Sequence, residues 1–188
     1  MTFPPIIGFC GYARVGKNTA AEELMKLVPD VDYECIGYAD ALKADLRKCV
    51  EWAMEHDIDT NAPEFKEIIR PMYVLWSRVA KDLAGNDLIW VKRLEKVVAN
   101  LRRINVTPLI TDVRYHYEIE SILAQGGMVF FICRNDIGPK NKEEENSFHL
   151  IEQRYMQLTR DFAVYNNGTK EELGQNVMKL LKLNLDLV

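Results

Sequence analysis

The chain has 188 residues, 48% hydrophobic and 28% charged, a composition typical of a globular protein with one substantial core. Its formal charge is −4, from 24 Lys and Arg against 28 Asp and Glu, which argues against non-specific binding to nucleic acid because that requires a basic surface. No apolar stretch approaches the roughly 18 residues of a membrane span, and no basic region opens the chain as in a signal peptide. A cytoplasmic protein that binds neither membranes nor macromolecular nucleic acid is therefore expected.

Apolar periodicity predicts strands that alternate with helices. The predicted strands cover 6–10, 33–38, 108–111, 128–133 and 162–165, and the predicted helices cover 18–28, 39–56, 64–84, 87–104, 117–125, 148–158 and 169–183. Pro71 is expected to kink the third helix or divide it in two, and the third strand is expected to stop at Asp112. This order is typical of a three-layer α/β/α fold with a parallel five-stranded sheet, which binds ligands at the carboxyl ends of its strands.

The run from Gly11 to Lys17 has the spacing GxxxxGK and joins a predicted strand to a predicted helix, the context of a phosphate-binding loop. Glycines let the backbone curl until several N–H groups point at one anion, and the following helix adds unsatisfied donors and the positive end of its dipole. Lys17 adds a charge that can reach the β and γ phosphates. The alternative is a glycine-rich turn with a chance lysine. The residues expected around the ATP phosphates are Gly11, Ala13, Arg14, Val15, Gly16, Lys17, Asn18 and Thr19.

Two residues are candidates for contact with Mg²⁺. A Ser or Thr usually follows the loop lysine and meets the ion, but here Asn18 takes that position and Thr19 comes one residue later. The Asn18 carbonyl could touch Mg²⁺ or a water bound to it. Asp112 could hold the ion through water, or accept the proton of an attacking oxygen. The alternative for Asp112 is a helix N-cap.

Two arginines are candidates for binding the phosphate of an acceptor. The guanidinium of Arg114 matches phosphate geometry, and its alternative is a surface ion pair with Glu118. Arg70 could clamp an acceptor phosphate from a helix, or lie on a solvated helix face.

The segment 134–146 is almost entirely polar and is expected to be a mobile surface segment that adds nothing to the core. A loop that closes over ATP can bring cations onto the transferring group and expel water. Arg134 is the best candidate for this catalytic role, followed by Lys140 and Lys142. His149 is interpreted as a cap or surface residue.

The run from Gly11 to Thr19 resembles the phosphate loop of the deoxynucleoside monophosphate kinases of bacteriophages. Weaker segments resemble the same family in the same order, and together they span almost the whole chain. The segment 147–152 departs from the His-Ser-Glu pattern of the family. The weaker segments are 39–43, 69–71, 88–91, 111–115, 127–134, 149–152, 166–169 and 171–173.

The resemblance implies a single P-loop kinase domain over 1–188, with a helical acceptor-binding region at 39–104 and a lid at 134–148. It implies ATP as donor, Mg²⁺ as cofactor and a deoxynucleoside monophosphate as acceptor, in the host cytoplasm if the protein is phage-encoded. By position, the implied catalytic residues are Lys17, Asp112 and Arg134. The implied acceptor-binding residues are Asp40, Lys43, Arg70 and Arg114, and Asn167 and Gly168 would lie near the adenine.

Two other functions stay open. One is a kinase of another small phosphorylated metabolite, such as dephospho-coenzyme A or phosphomevalonate, because fold does not settle substrate. The other is a non-catalytic nucleotide-binding protein in which ATP orders the lid. Convergence of Arg70, Arg114 and Arg134 on one pocket would favour a kinase. The exposed faces of the helices at 64–104 could form a homodimer.

Overall fold

A computed structural model describes residues 3–54 and 63–185. Two compact units make up the chain, one from Met1–Gly37 with Val98–Val188 and the other from Tyr38–Val97. The prediction of one domain with an acceptor region at 39–104 and a lid at 134–148 stays a prediction. The elements are β1 (Ile7–Cys10), α1 (Lys17–Leu27), β2 (Tyr33–Ile36), α2 (Tyr38–Met54), α3 (Pro63–Ala84), α4 (Ile89–Arg103), β3 (Thr107–Val113), α5 (His116–Ala124), β4 (Met128–Cys133), α6 (Lys142–Arg154), α7 (Met156–Asp161), β5 (Ala163–Tyr165) and α8 (Lys170–Leu185).

The five strands form one parallel sheet in the order β2-β3-β1-β4-β5. The central strand is β1, in which Ile7 pairs with Leu109 of β3 on one side and with Met128 of β4 on the other. The carboxyl ends of β1 and β3 are therefore neighbours, and the segments that follow them emerge side by side. The predicted parallel five-stranded sheet is confirmed.

Alternation along β1 explains why helices cover both faces of the sheet. Ile7 and Phe9 are fully buried in a core cluster with Leu24 of α1 and Val177 of α8. Gly8 faces the opposite side, where a Cβ would lie 2.7 Å from the Ile122 side chain of α5. Because α1 and α8 lie on one face and α5 on the other, this unit has the three-layer arrangement that the sequence predicts.

The third strand is longer than predicted, and the helix-cap alternative for Asp112 is wrong. Pairing between Cys10 and Val113 carries β3 through Asp112 to Val113, so Asp112 is a strand residue. The residue that precedes α5 is Tyr115.

Within the unit Tyr38–Val97, α3 runs unbroken from Pro63 to Ala84. Division of the helix at Pro71 is therefore wrong, because one proline removes a single backbone hydrogen bond and the others keep the helix continuous. Trp90 is 8% exposed and its indole N–H donates to the Ser77 hydroxyl at 3.1 Å, consistent with a core residue. Several apolar side chains of α3 are exposed, and the homodimer stays a prediction; they are Ile68, Val74, Leu75 and Leu83.

The predicted polar segment is partly helical and partly packed. Helix α6 begins at Lys142, with the Asn141 side chain accepting a hydrogen bond from the backbone N–H of Glu144. Ile137 packs against the core cluster, so the expectation that this segment adds nothing to the core is wrong.

Across residues 3–54 and 63–185, no helix has the length and apolar character needed to cross a lipid bilayer.

Candidate active site

The loop that follows β1 is curled by three residues with left-handed backbone angles. These are Gly11 at φ 144°, Arg14 at φ 70° and Gly16 at φ 101°. The ammonium of Lys17 folds back across the loop and donates to the carbonyl oxygens of Gly11, at 2.8 Å, and Tyr12, at 2.7 Å. The first turn of α1 carries no acidic residue, so the positive end of the helix dipole stays available to an anion. The run from Gly11 to Lys17 thus has the geometry that its spacing predicts.

Gly11 is required by both its backbone angle and its surroundings. A Cβ at this position would lie 2.4 Å from the Ile132 carbonyl oxygen of β4. We expect Gly11→Ala to lower the free energy of unfolding by about 3 kcal/mol, because the strained angle and the backbone clash act together. Chemical denaturation checks this, with Gly138→Ala as the matched control because no heavy atom lies within 4 Å of a Cβ there. Equal stability of the two variants would contradict this account of Gly11.

The turn after β5 supports the loop from outside. The Asn166 side-chain amide donates to the Val15 carbonyl oxygen at 2.8 Å, and its backbone N–H donates to the Cys133 carbonyl oxygen of β4 at 2.8 Å. Sequence reasoning placed only the next two residues, Asn167 and Gly168, near the adenine. An Asn-Asn-Gly run predicts a turn, but the contact with Val15 depends on β5 lying beside β4, which no local signal reports.

The charged groups around Lys17 belong to the same site. Burial and the positive charge of Arg114 lower the pKa of Lys17 to about 8, while the carboxylates of Glu144 and Asp112 oppose that shift. The Lys17 ammonium therefore lies in the electrostatic field of Arg114, Asp112 and Glu144. The first two were predicted site residues, and the third was not.

Nucleotide binding should depend on pH through Lys17. Because its pKa is lowered to about 8, the side chain is charged below pH 8 and loses its proton above it. If the charged form binds ATP, affinity falls by about tenfold per pH unit above pH 8. Titration calorimetry between pH 7 and 10 measures this. Lys17→Arg is the control, since arginine stays charged throughout, and an identical decline in both proteins would exclude Lys17 as the cause.

Asp112 lies beside the end of β2. A Cβ on Gly37 would lie 2.7 Å from an Asp112 carboxylate oxygen, so the backbone there approaches the carboxylate closely. Asp112 offers oxygen ligands near the loop, and Asn18 and Thr19, which open α1, carry side-chain oxygens as well. This donor set suits Mg²⁺, which takes one or two carboxylates plus phosphate and water oxygens. Among the described residues, no group of three or more His, Cys, Asp or Glu side chains is placed to hold a metal ion.

A buried carboxylate fixes the segment that carries Arg114. Glu118 is 5% exposed and accepts the backbone N–H groups of Arg114, at 2.6 Å, and Tyr115, at 3.0 Å. Burial raises the pKa of Glu118 to about 8, and these two hydrogen bonds oppose the rise. The surface ion pair between Arg114 and Glu118 is therefore wrong, because Glu118 binds backbone in the interior. An acidic residue in the first turn of α5 was the available sequence signal.

The lid candidates lie on the surface. The Arg134 guanidinium pairs with Asp136 at 2.9 Å, and Lys140 and Lys142 are exposed. His149 is exposed and its ring lies 2.9 Å from the Gln153 amide nitrogen, in agreement with a surface residue.

An acidic side chain from the predicted lid segment, 134–148, reaches the phosphate loop. A Glu144 carboxylate oxygen accepts the Ala13 backbone N–H at 2.9 Å. Sequence reasoning missed this contact.

The remaining predicted residues have their own local contacts. In the unit Tyr38–Val97, Asp40 lies in the first turn of α2 and pairs with Lys43 at 3.3 Å, while Arg70 is half-buried on α3. In the other unit, the Asn167 side chain accepts the Asn135 backbone N–H at 3.0 Å, and Gly168 lies against Glu172. The acceptor and adenine roles of these residues stay predictions.

Comparison with known proteins supports the fold. The solved structure of TT1252 from Thermus thermophilus matches with a TM-score of 0.51 at 19% identity, over 98% of this chain and 99% of that chain. What the two chains share is the fold, here a three-layer α/β/α arrangement around a parallel five-stranded sheet. Two shikimate kinases also match at 15% identity: one from Acinetobacter baumannii in complex with shikimate, with a TM-score of 0.45 over 97% of this chain and 95% of that chain, and one from Aquifex aeolicus, with a TM-score of 0.44 over 96% and 98%.

These likenesses extend to architecture and no further. No protein-family model and no curated protein matches this chain. Identities of 15% to 19% leave the substrate open, because one fold carries many substrates. The resemblance to bacteriophage deoxynucleoside monophosphate kinases therefore remains a hypothesis on the motifs.

Proposed function

We propose that the protein transfers the γ-phosphate of ATP to a deoxynucleoside monophosphate. The observation that carries the proposal is the curled loop from Gly11 to Lys17 at the end of the central strand. Its amides and the N-terminus of α1 suit a polyphosphate, and the Lys17 ammonium is held within the same loop. A loop of this kind at the carboxyl end of a parallel sheet suits ATP as the phosphoryl donor.

The groups beside the loop suit transfer of a phosphoryl group. Phosphoryl transfer needs little covalent chemistry from the protein and depends on positioning and on cations around the transferring group. Lys17 and Arg114 supply two such cations, and Asp112 lies within the field of Lys17. Mg²⁺ would be held by Asp112 through water and by Asn18 or Thr19, and when bound it would neutralise charge on the phosphate oxygens.

The choice of acceptor rests on the order of the weaker motifs along the chain. Arg114 would bind the acceptor phosphate bidentately, and Glu118 fixes its backbone in place. The resemblance also implies acceptor-binding roles for Asp40, Lys43 and Arg70.

An assay of ADP release tests this function. ATP and Mg²⁺ would be supplied with a panel of nucleoside and deoxynucleoside monophosphates, and with dephospho-coenzyme A. ADP release that depends on one or more deoxynucleoside monophosphates is the expected result. Release only with dephospho-coenzyme A would assign the protein to another class of metabolite kinase. ATP binding without release for any acceptor would contradict the proposal and indicate a nucleotide-binding protein.

A further inference from the structure

The first turns of α6 lie against the phosphate loop. The Ala13 backbone N–H donates to a Glu144 carboxylate oxygen at 2.9 Å, across 131 residues of sequence. Backbone N–H groups of a GxxxxGK loop are the donors that bind phosphate oxygens. The Glu144 carboxylate therefore uses a donor of the same kind as a bound phosphate group would use.

Further contacts hold α6 in this place, among them a hydrogen bond from the Tyr115 hydroxyl to a Glu143 carboxylate oxygen at 3.2 Å. The Ser147 hydroxyl donates to the Arg114 carbonyl oxygen at 2.6 Å, and the Phe148 ring lies 4.6 Å from the ring of Tyr12 in the phosphate loop. Helix α6 thus contacts both the loop after β1 and the segment after β3, which are the two segments that carry Lys17 and Arg114.

The charge of α6 opposes its remaining there when a polyphosphate binds. Its first turn contains three consecutive glutamates from Glu143 to Glu145, and Glu144 lies in the field of the Lys17 ammonium. Phosphate oxygens on the loop would repel the Glu144 carboxylate and compete with it for the same donor. A cationic lid could close over ATP, whereas this acidic turn must move away from the loop when the phosphates bind.

We propose that Glu144 is a built-in anion that occupies the phosphate loop without nucleotide, so that nucleotide binding displaces Glu144 and moves the first turn of α6 away from the loop. This inference rests on the proposed function only in taking nucleotide phosphates as the ligand of the loop. Only molecules in which Glu144 is undocked can then bind nucleotide, so the apparent Kd equals the intrinsic Kd divided by the undocked fraction.

The first turn of α6 can move away from the phosphate loop and keep the hydrogen bonds that cap its N-terminus. Asn141 accepts the backbone N–H of Glu144, and the second Glu144 carboxylate oxygen accepts the Lys140 backbone N–H at 2.6 Å. These bonds are internal to the segment and do not depend on Ala13. The residues before them, Gly138 and Pro139, are exposed.

The test is the affinity of the full chain for ADP and for pyrophosphate, measured by titration calorimetry with and without Mg²⁺. If Glu144 is docked in about nine-tenths of molecules, Glu144→Gln and Glu144→Ala should each bind both probes about tenfold more tightly. Glu145→Gln is the matched control, because Glu145 is exposed on the same turn, and its affinities should equal those of the wild type. Glu144→Gln keeps an oxygen for the Lys140 N–H, so tighter binding in both variants separates displacement from a capping role.

Several results would overturn the inference. Unchanged or weaker binding in both Glu144 variants would do so, as would tighter binding in Glu144→Ala alone, which would reduce Glu144 to a cap. Weaker binding of Glu144→Gln only with Mg²⁺ would make the carboxylate a metal ligand instead. No binding of either probe by Glu144→Ala would overturn it as well.

Hydrogen exchange gives a second readout that needs no variant. ADP should raise exchange of the amides in the first turns of α6 in the wild-type chain, because the contacts with the loop that suppress local opening there are lost. Lower exchange there on ADP binding would contradict the inference. Tighter ADP binding by the Glu144 variants without phosphoryl transfer would refute the proposed function alone, whereas phosphoryl transfer with unchanged affinities would refute this inference alone.

Discussion

Replacement of Lys17 by alanine should reduce kcat/KM for phosphoryl transfer by about 10³-fold, since loss of one preorganised donor at a transferring group has effects of this order. The ammonium lies across the phosphate loop and bonds to the carbonyl oxygens of Gly11 and Tyr12. The free energy of unfolding should fall by only about 1 kcal/mol, because the two hydrogen bonds are partly exposed to water. Steady-state kinetics and chemical denaturation measure the two quantities separately.

The matched control for this change is Lys26→Ala. Lys26 is on the same helix, and its side chain is 68% exposed beside Glu23. Its replacement by alanine removes the same charge as Lys17→Ala. Its replacement should leave turnover unchanged. Activity of Lys17→Ala within about threefold of the control would show that the lysine does not act on the phosphates.

Replacement of Arg114 by alanine should raise the KM for the acceptor and lower kcat/KM for the acceptor by about 10²-fold, with the KM for ATP little changed. A guanidinium that binds the acceptor phosphate does not contribute to the binding of ATP, so its loss leaves the KM for ATP unchanged. Steady-state kinetics in which each substrate is varied while the other is saturating separate the KM for the acceptor from the KM for ATP. Arg160→Ala, at an exposed position on α7, is the control for loss of one positive charge.

The opposite pattern would contradict the acceptor role. Arg114 lies close enough to Lys17 to lower its pKa, so a contact with the donor phosphates is the alternative. Loss of ATP affinity alone would assign Arg114 to the donor side.

Local signals were sufficient for the sheet and for the phosphate loop. The apolar runs of β1 and β4 are short and bounded by proline, glycine or polar residues, and β4 extends over the predicted 128–133. The GxxxxGK spacing between a strand and a helix fixes the loop because its backbone angles depend on residues close in sequence. The first strand, the loop and α1 were therefore predicted within one residue.

The contacts that the sequence did not predict are those between distant segments. The polarity of residues 134–146 predicts exposure, but not that Glu144 binds the Ala13 N–H across 131 residues. The extension of β3 through Asp112 depends on pairing with β1, and the burial of Glu118 depends on the packing of α5. Charge and polarity alone could not separate these residues from ordinary surface ones.

The support of the phosphate loop by Asn166 has a consequence for how the protein is made. Asn166 follows Val15 by 151 residues, and α8, whose Leu173, Val177 and Leu181 complete the core around α1, follows later still. A nascent polypeptide that has emerged from the ribosome only as far as β4 lacks both the Asn166 contact with the loop and the α8 residues of the core cluster. We therefore expect a ligand of the loop to stabilise only chains that have been translated through α8.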